Sequence, residues 1–229
     1  MIILILVAFV VLSLTIDAVI QYNKKKKLKV ANSSLHQARM FNETSISIPK
    51  GLYFDKTHTW AFMEKNGEVK IGIDDFLLHI TGPLNHVKLR NSGDKILKGE
   101  GFLSIIQNGK QLILNSPISG TIISQNTKLI DDSSSIKISP FNEGWIYMIE
   151  PTNWLRETQF LLMSDKYKEW LKNEFTRLKD FFALLGQSKN IEYATIVLQD
   201  GGELKDNILE DLAPEIWEEF QTKFINTSI

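Results

Sequence analysis

Few side chains in this sequence could carry chemistry. The 229 residues include no cysteine, which excludes a disulfide framework, a thiolate zinc site and cysteine-based catalysis together. His79 and His86 fall in a predicted helix and a predicted strand, without an acidic partner at a metal-ligand spacing, so metal binding is not expected. Ser116 and Ser119 are turn residues, no Gly-x-Ser-x-Gly elbow occurs, and no His/Asp partner is placed by motif. That leaves no hydrolytic constellation. His58, in His58-Thr59-Trp60, reads as a packing or hydrogen-bonding group near a sheet edge rather than a base. Asp200-Gly201-Gly202-Glu203 reads as a strand-ending turn rather than a phosphate or cation loop. Trp154, Trp170 and Trp217 could anchor an interface, but packing into the core accounts for each singly. Lys110 stands beside a tight Asn-Gly turn and begins a return strand. The chain is therefore read as a module, not an enzyme.

The elements that must position these residues follow from hydrophobic periodicity. Between Leu52 and Pro151, short alternating apolar runs are broken by turn residues at close intervals, the spacing of an antiparallel barrel or sandwich. Predicted strands are Thr59 to Met63, Val69 to Ile73, His86 to Lys88, Gly101 to Gln107, Gln111 to Asn115, Gly120 to Gln125 and Trp145 to Ile149. Asn66-Gly67 and Asn108-Gly109 each join two runs, predicting two type I′ hairpins with positive φ at both central residues. Asp74 reads as the N-cap of a short helix through Ile80.

The flanks have other textures. Met1 to Tyr22 is apolar except for Asp17, and as a helix it would reach about 33 Å, close to the bilayer core. Lys24 to Lys27 and Lys29 follow it. The expectation is a retained transmembrane helix over 1–22, with the N-terminus outside and the later domains cytoplasmic. A basic flank and polar tether would fill 23–50. With 26 basic and 27 acidic side chains, the net charge is −1, and no global field would attract nucleic acid. From Glu157 to Leu185 apolar residues recur three or four apart, predicting one long amphipathic helix ended by Gly186. A strand from Ile191 to Leu198 and a helix from about Pro214 to Phe224 complete a mostly α extension over 155–229.

The middle segment, about Tyr53 to Trp154, resembles the H protein of the glycine cleavage system. His58-Thr59-Trp60 resembles that family's His-Glu-Trp, and Val69 to Gly82 resembles its strand and helix ending in Leu-Gly. Gly93-Asp94 to Gly99-Glu100 resembles its valley turn. Ser116-Pro117-Ile118-Ser119-Gly120, Asn126 and Glu143-Gly144-Trp145-Ile146 resemble its later landmarks. The resemblance implies a mainly β, flattened lipoyl/biotinyl-carrier barrel over 51–154. It also implies a lipoyl group on a lysine at a hairpin tip, and protein partners that are either glycine cleavage-type enzymes or a membrane complex. The family's lipoyl-lysine stands in Glu-Ser-Val-Lys-Ala, eleven residues before the motif glycine. Counting back from Gly120 reaches Gly109, with Lys110 one place late and Ile106 at the Glu position. Lys110 is thus a displaced lipoyl-lysine candidate, its side chain leaning onto a sheet face instead of projecting from the apex. Two functions follow from the resemblance: a carrier module, or a lipoate-free barrel for docking and assembly.

Overall fold

The computed structural model describes residues 40–189, 198–199 and 203–226. In chain order these form β1 (Met40–Phe41), β2 (Tyr53–Asp55), β3 (Thr59–Met63), β4 (Val69–Ile73), α1 (Asp75–Thr81), β5 (His86–Leu89), β6 (Lys95–Ile96), β7 (Gly101–Gln107), β8 (Lys110–Asn115) and β9 (Gly120–Gln125). There follow α2 (Lys128–Asp131), α3 (Ser134–Ile138), β10 (Tyr147–Pro151), α4 (Trp154–Glu157), β11 (Leu162–Met163), α5 (Ser164–Lys189), β12 (Leu198–Gln199), β13 (Glu203–Lys205) and α6 (Pro214–Phe220). Helix α6 runs on into a π-helical turn, Gln221–Ile225.

Antiparallel pairing makes a seven-stranded sheet, β11-β2-β3-β4-β10-β9-β6, and a three-stranded sheet, β5-β7-β8. Their apolar faces meet in one core. Tyr147 of the larger sheet donates its hydroxyl to the Phe102 carbonyl of the smaller at 3.1 Å, which satisfies a polar tip that burial would otherwise strand. Trp60, wholly buried, pairs across β3 and β4 with Gly72. A Cβ on Gly72 would lie 2.6 Å from the indole, so the tryptophan needs a bare backbone opposite it. The Asn126 amide donates to the Glu143 and Trp145 carbonyls at 2.8 and 2.9 Å, fixing the Glu-Gly-Trp loop.

Local signals hold where the chemistry is local. Asp74 caps α1, its carboxylate accepting from the Leu77 amide at 2.8 Å. At the β7–β8 turn both Asn108 (φ 49°) and Gly109 (φ 78°) take positive φ, as a type I′ hairpin requires. The other hairpin differs. Only Gly67 is in positive φ, and its amide donates to Glu64 at 3.0 Å, giving a longer loop. Asn66 instead turns its side chain to accept from the Glu68 amide at 3.1 Å, a local bond that competes with the I′ conformation.

The expected architecture needs correction at both flanks. The transmembrane helix over 1–22 falls outside the described residues, as does most of 23–50. Among the described residues no helix is long and apolar enough to cross a membrane, so the expected transmembrane helix is no part of the described fold. Residues from Met40 on are not tether. Strand β1 pairs with β13 in a third sheet, and Phe41, 1% exposed, packs against Phe76 and Phe175. Within the extension, β11 joins the barrel sheet while β12 and β13 join β1. Helix α5 begins at Ser164, not near Glu157, because Leu162 and Met163 are drawn onto the edge of β2. It also runs through Gly186. The Asp200–Gly202 turn lies outside the described residues.

Candidate functional site

The β7–β8 hairpin sends its first return-strand residue, Lys110, inward. Lys110 is only 8% exposed. Its ammonium donates to the carbonyls of Glu210 at 2.5 Å, Leu212 at 3.1 Å and Leu209 at 3.5 Å. Trp217 covers it, with the ring centroid 5.2 Å from Nζ, a cation–π distance. The indole N–H itself donates to the Leu209 carbonyl at 2.8 Å. Burial pulls the lysine below its ordinary pKa, opposed by the nearby Asp211 and Glu210 carboxylates. The three donors of the ammonium therefore meet three carbonyl acceptors, which compensates the desolvated charge.

The covering segment is fixed at further points. Gln221 uses both ends of its amide on one residue of β8. Its oxygen accepts from the Ile113 amide at 2.7 Å, and its nitrogen donates to the Ile113 carbonyl at 2.9 Å. Strand β8 is an edge of its sheet, and this side chain occupies hydrogen-bonding groups that another strand could otherwise pair. Asn115 donates to the Ile225 carbonyl at 3.2 Å. At the end of α1, His79 Nδ1 lies 2.8 Å from Asp206, and the His79 carbonyl accepts from the Asn207 amide at 2.6 Å. Phe220 and Phe224 stack at 4.6 Å and meet Phe181 of α5.

A second polar cluster ties α5 to the barrel. His58, at φ 64°, is fully buried and pairs through Nδ1 with Asp74 at 2.9 Å. Tyr167 donates its hydroxyl to the same Asp74 oxygen. On the other side His58 Nε2 faces Glu174 Oε1 at 3.6 Å, an ion-pair distance without a hydrogen bond. Arg177 holds the other Glu174 oxygen at 2.5 Å. Desolvation alone would lower the His58 pKa, but Asp74 and Glu174 outweigh it and push it up to about 9. Tyr167 is held well above its ordinary range, by burial first and then by Asp74.

The remaining named residues are structural. Ser116 donates to the Ile118 carbonyl at 2.7 Å, and the Ser119 amide and hydroxyl both donate to Glu157, at 2.7 and 2.6 Å. His86 is exposed on the edge strand β5. Trp154 packs edge-on against Tyr53, and Trp170 lies against His58 and Tyr167. Sequence reading missed Tyr167 and Glu174 as partners of His58 and Asp74. Glu174 offered a signal: two turns from Tyr167, it falls on the apolar stripe with Leu171, Phe175 and Leu178, where a carboxylate needs a buried partner.

A flattened two-sheet barrel with a tight hairpin before a Ser-Pro-x-Ser-Gly turn defines the lipoyl/biotinyl-carrier class. Within it, the Glycine cleavage H-protein family model matches residues 52–174, more than half of the chain, and the chain belongs to that family. Similar proteins include the glycine cleavage system H proteins of Xanthomonas oryzae pv. oryzae (strain PXO99A), 34% identical over 127 residues, and of Stenotrophomonas maltophilia (strain K279a), 36% identical over 128 residues. Each match covers 56% of this chain and 96% of the relative. A solved H protein from Mycobacterium marinum is 28% identical, with TM-score 0.44, over 46% of this chain and 87% of that one. H proteins are lipoyl carriers rather than enzymes, bear lipoate on a lysine and interact with glycine cleavage enzymes. The match extends past the expected barrel boundary at 154 into α5, ending at Glu174 itself.

Gly109 occupies the place that the resemblance gives to the family lysine, and the neighbouring Lys110 amine is enclosed by its carbonyl partners and Trp217.

Proposed function

We propose that this chain is an H-protein-family module that works by protein docking, without a lipoyl arm in the state described. One observation carries the reading: the Lys110 ammonium is committed to the Leu209, Glu210 and Leu212 carbonyls and is 8% exposed. A swinging arm requires an attachment amine that projects into solvent. Here the neighbouring Lys110 side chain holds the C-terminal segment on the hairpin. The partners would be proteins that recognise the carrier barrel, with glycine cleavage-type enzymes the first to test because the family interacts with them.

Intact-mass measurement of full-length protein from a lipoylation-competent host, beside Lys110→Arg, tests the reading. An unmodified mass for both proteins is expected. A lipoyl increment on the wild type that disappears in Lys110→Arg overturns it.

A further inference from the structure

Residues 203–226 lie wholly outside the family match, which ends at 174, yet they cover the family's hairpin. Their grip joins a buried apolar face, with Leu204, Ile208, Leu212, Ile216, Phe220 and Phe224 in the core, to a set of polar bonds at the rim. These are Asp206 on His79, Asn207 on the His79 carbonyl and on Lys137, Gln221 on Ile113, and the Ile225 carbonyl on Asn115. Beneath that rim, Ile208, Leu209, Leu212 and Trp217 are buried, and the Trp217 ring lies over the lysine. The π-helical turn at Gln221–Ile225 places Gln221 against the strand edge and the Ile225 carbonyl over Asn115, and such turns recur at functional positions. An added segment that fills an edge strand and consumes the one lysine beside the hairpin crest has the form of an occluding element.

We infer that residues 203–226 are an intramolecular latch that withholds the Lys110 amine from acylation and the β8 edge from partner strands. Displacing the latch converts Lys110 into an exposed acyl acceptor. The inference rests on the reading that the resting protein carries no lipoyl group, and it adds that the covering segment, not the hairpin, enforces this.

The test uses the full chain and acetyl N-hydroxysuccinimide ester as probe. In that reaction the neutral lysine nitrogen attacks the ester carbonyl and a C–N amide bond forms. The C–O bond to N-hydroxysuccinimide breaks, that group departs with the electron pair, and the amine proton passes to buffer. Wild type is compared with Asp206→Ala/Gln221→Ala, which removes two rim anchors without touching Lys110. Acetylation at Lys110 is measured against exposed Lys65 in the other hairpin loop, and hydrogen exchange over 203–226 is followed in the same samples.

In the wild type, Lys110 should react more than about tenfold slower than Lys65, because reaction requires local opening. In the double variant Lys110 should accelerate several-fold with Lys65 unchanged, as exchange over 203–226 rises. Should the double variant stay closed by exchange, Trp217→Ala supplies the opening. Equal wild-type rates at Lys110 and Lys65 overturn the inference, as does opened exchange without any gain at Lys110. A pre-existing lipoyl group appears in the mass before reagent is added, so failure of the docking reading is seen separately.

Discussion

His58 Nδ1 lies 2.9 Å from Asp74 Oδ2, with both side chains out of solvent, and that same aspartate caps α1 and accepts from Tyr167 of α5. One carboxylate thus joins the β3 entrance, the first helix and the long helix. Removing it leaves the His58 charge facing only Glu174, at 3.6 Å and without a hydrogen bond. Breaking a buried pair from one side typically costs about 3–5 kcal/mol. Asp74→Ala is expected to lose stability on that scale in urea denaturation, and to lose more than Asp74→Asn, which keeps a capping oxygen.

The same pair sets a pH dependence. The folded His58 pKa is raised to about 9 from an ordinary 6.5, so between those values the folded state binds more protons than the unfolded one. Its contribution is therefore complete below pH 6.5 and lost as pH rises through about 9. The integrated loss is on the order of 3 kcal/mol. Denaturation midpoints measured from pH 6 to pH 9.5 should fall in wild type and flatten in His58→Gln. A wild-type midpoint unchanged over that window contradicts the assignment of a charged His58.

How much of this was legible in the sequence depended on distance along the chain. The Asn108-Gly109 hairpin, the Asp74 cap and the strands at Thr59–Met63 and Val69–Ile73 are encoded within a few residues, and all are found. Strand β1 is not legible because its partner is β13, at the other end of the fold. Lys110 shows both limits. Its place beside the turn and its lean to a sheet face could be read, but what waits on that face is a carbonyl cluster from Leu209 to Leu212. Nothing near position 110 records that. Tyr167 likewise looked like one more apolar helix position, and only packing shows its hydroxyl on Asp74.

Gly72 should tolerate no side chain. A Cβ there would stand 2.6 Å from Trp60 Cζ2, and the indole is fully buried with no room to retreat. Overpacking of this kind costs about 1–3 kcal/mol. Gly72→Ala is expected to lower the unfolding free energy from urea denaturation by that amount. Combination with Trp60→Phe should recover part of the Gly72→Ala penalty, measured as a non-additive double-mutant cycle.

The hairpin crest gives a cleaner backbone test. Asn108 sits at φ 49° and Gly109 at φ 78°. Asparagine tolerates this region, glycine enters it freely and alanine is penalised by about 1–2 kcal/mol. Asn108→Ala should therefore destabilise by about 1 kcal/mol, while Asn108→Gly stays near wild type. Equal stability of the two variants would show that the turn is not held in the I′ conformation.

Lys110→Met separates the lysine's charge from its bulk, because methionine can follow much of the same apolar path to Trp217. The substitution leaves the Leu209, Glu210 and Leu212 carbonyls without their shared donor. Hydrogen bonds to charged groups contribute about 1.5–3 kcal/mol, and the three share one ammonium, so a total loss of about 2 kcal/mol is expected. The loss should be regional. Hydrogen exchange ought to quicken over 203–226 while the β3–β4 ladder, whose bonds do not involve position 110, keeps its protection. Lys110→Arg retains the charge but presents a planar fork to acceptors arranged around a compact ammonium, so it should recover only part of the protection. Uniform loss across both regions in Lys110→Met would mean that the lysine supports the barrel itself and not the segment lying over it.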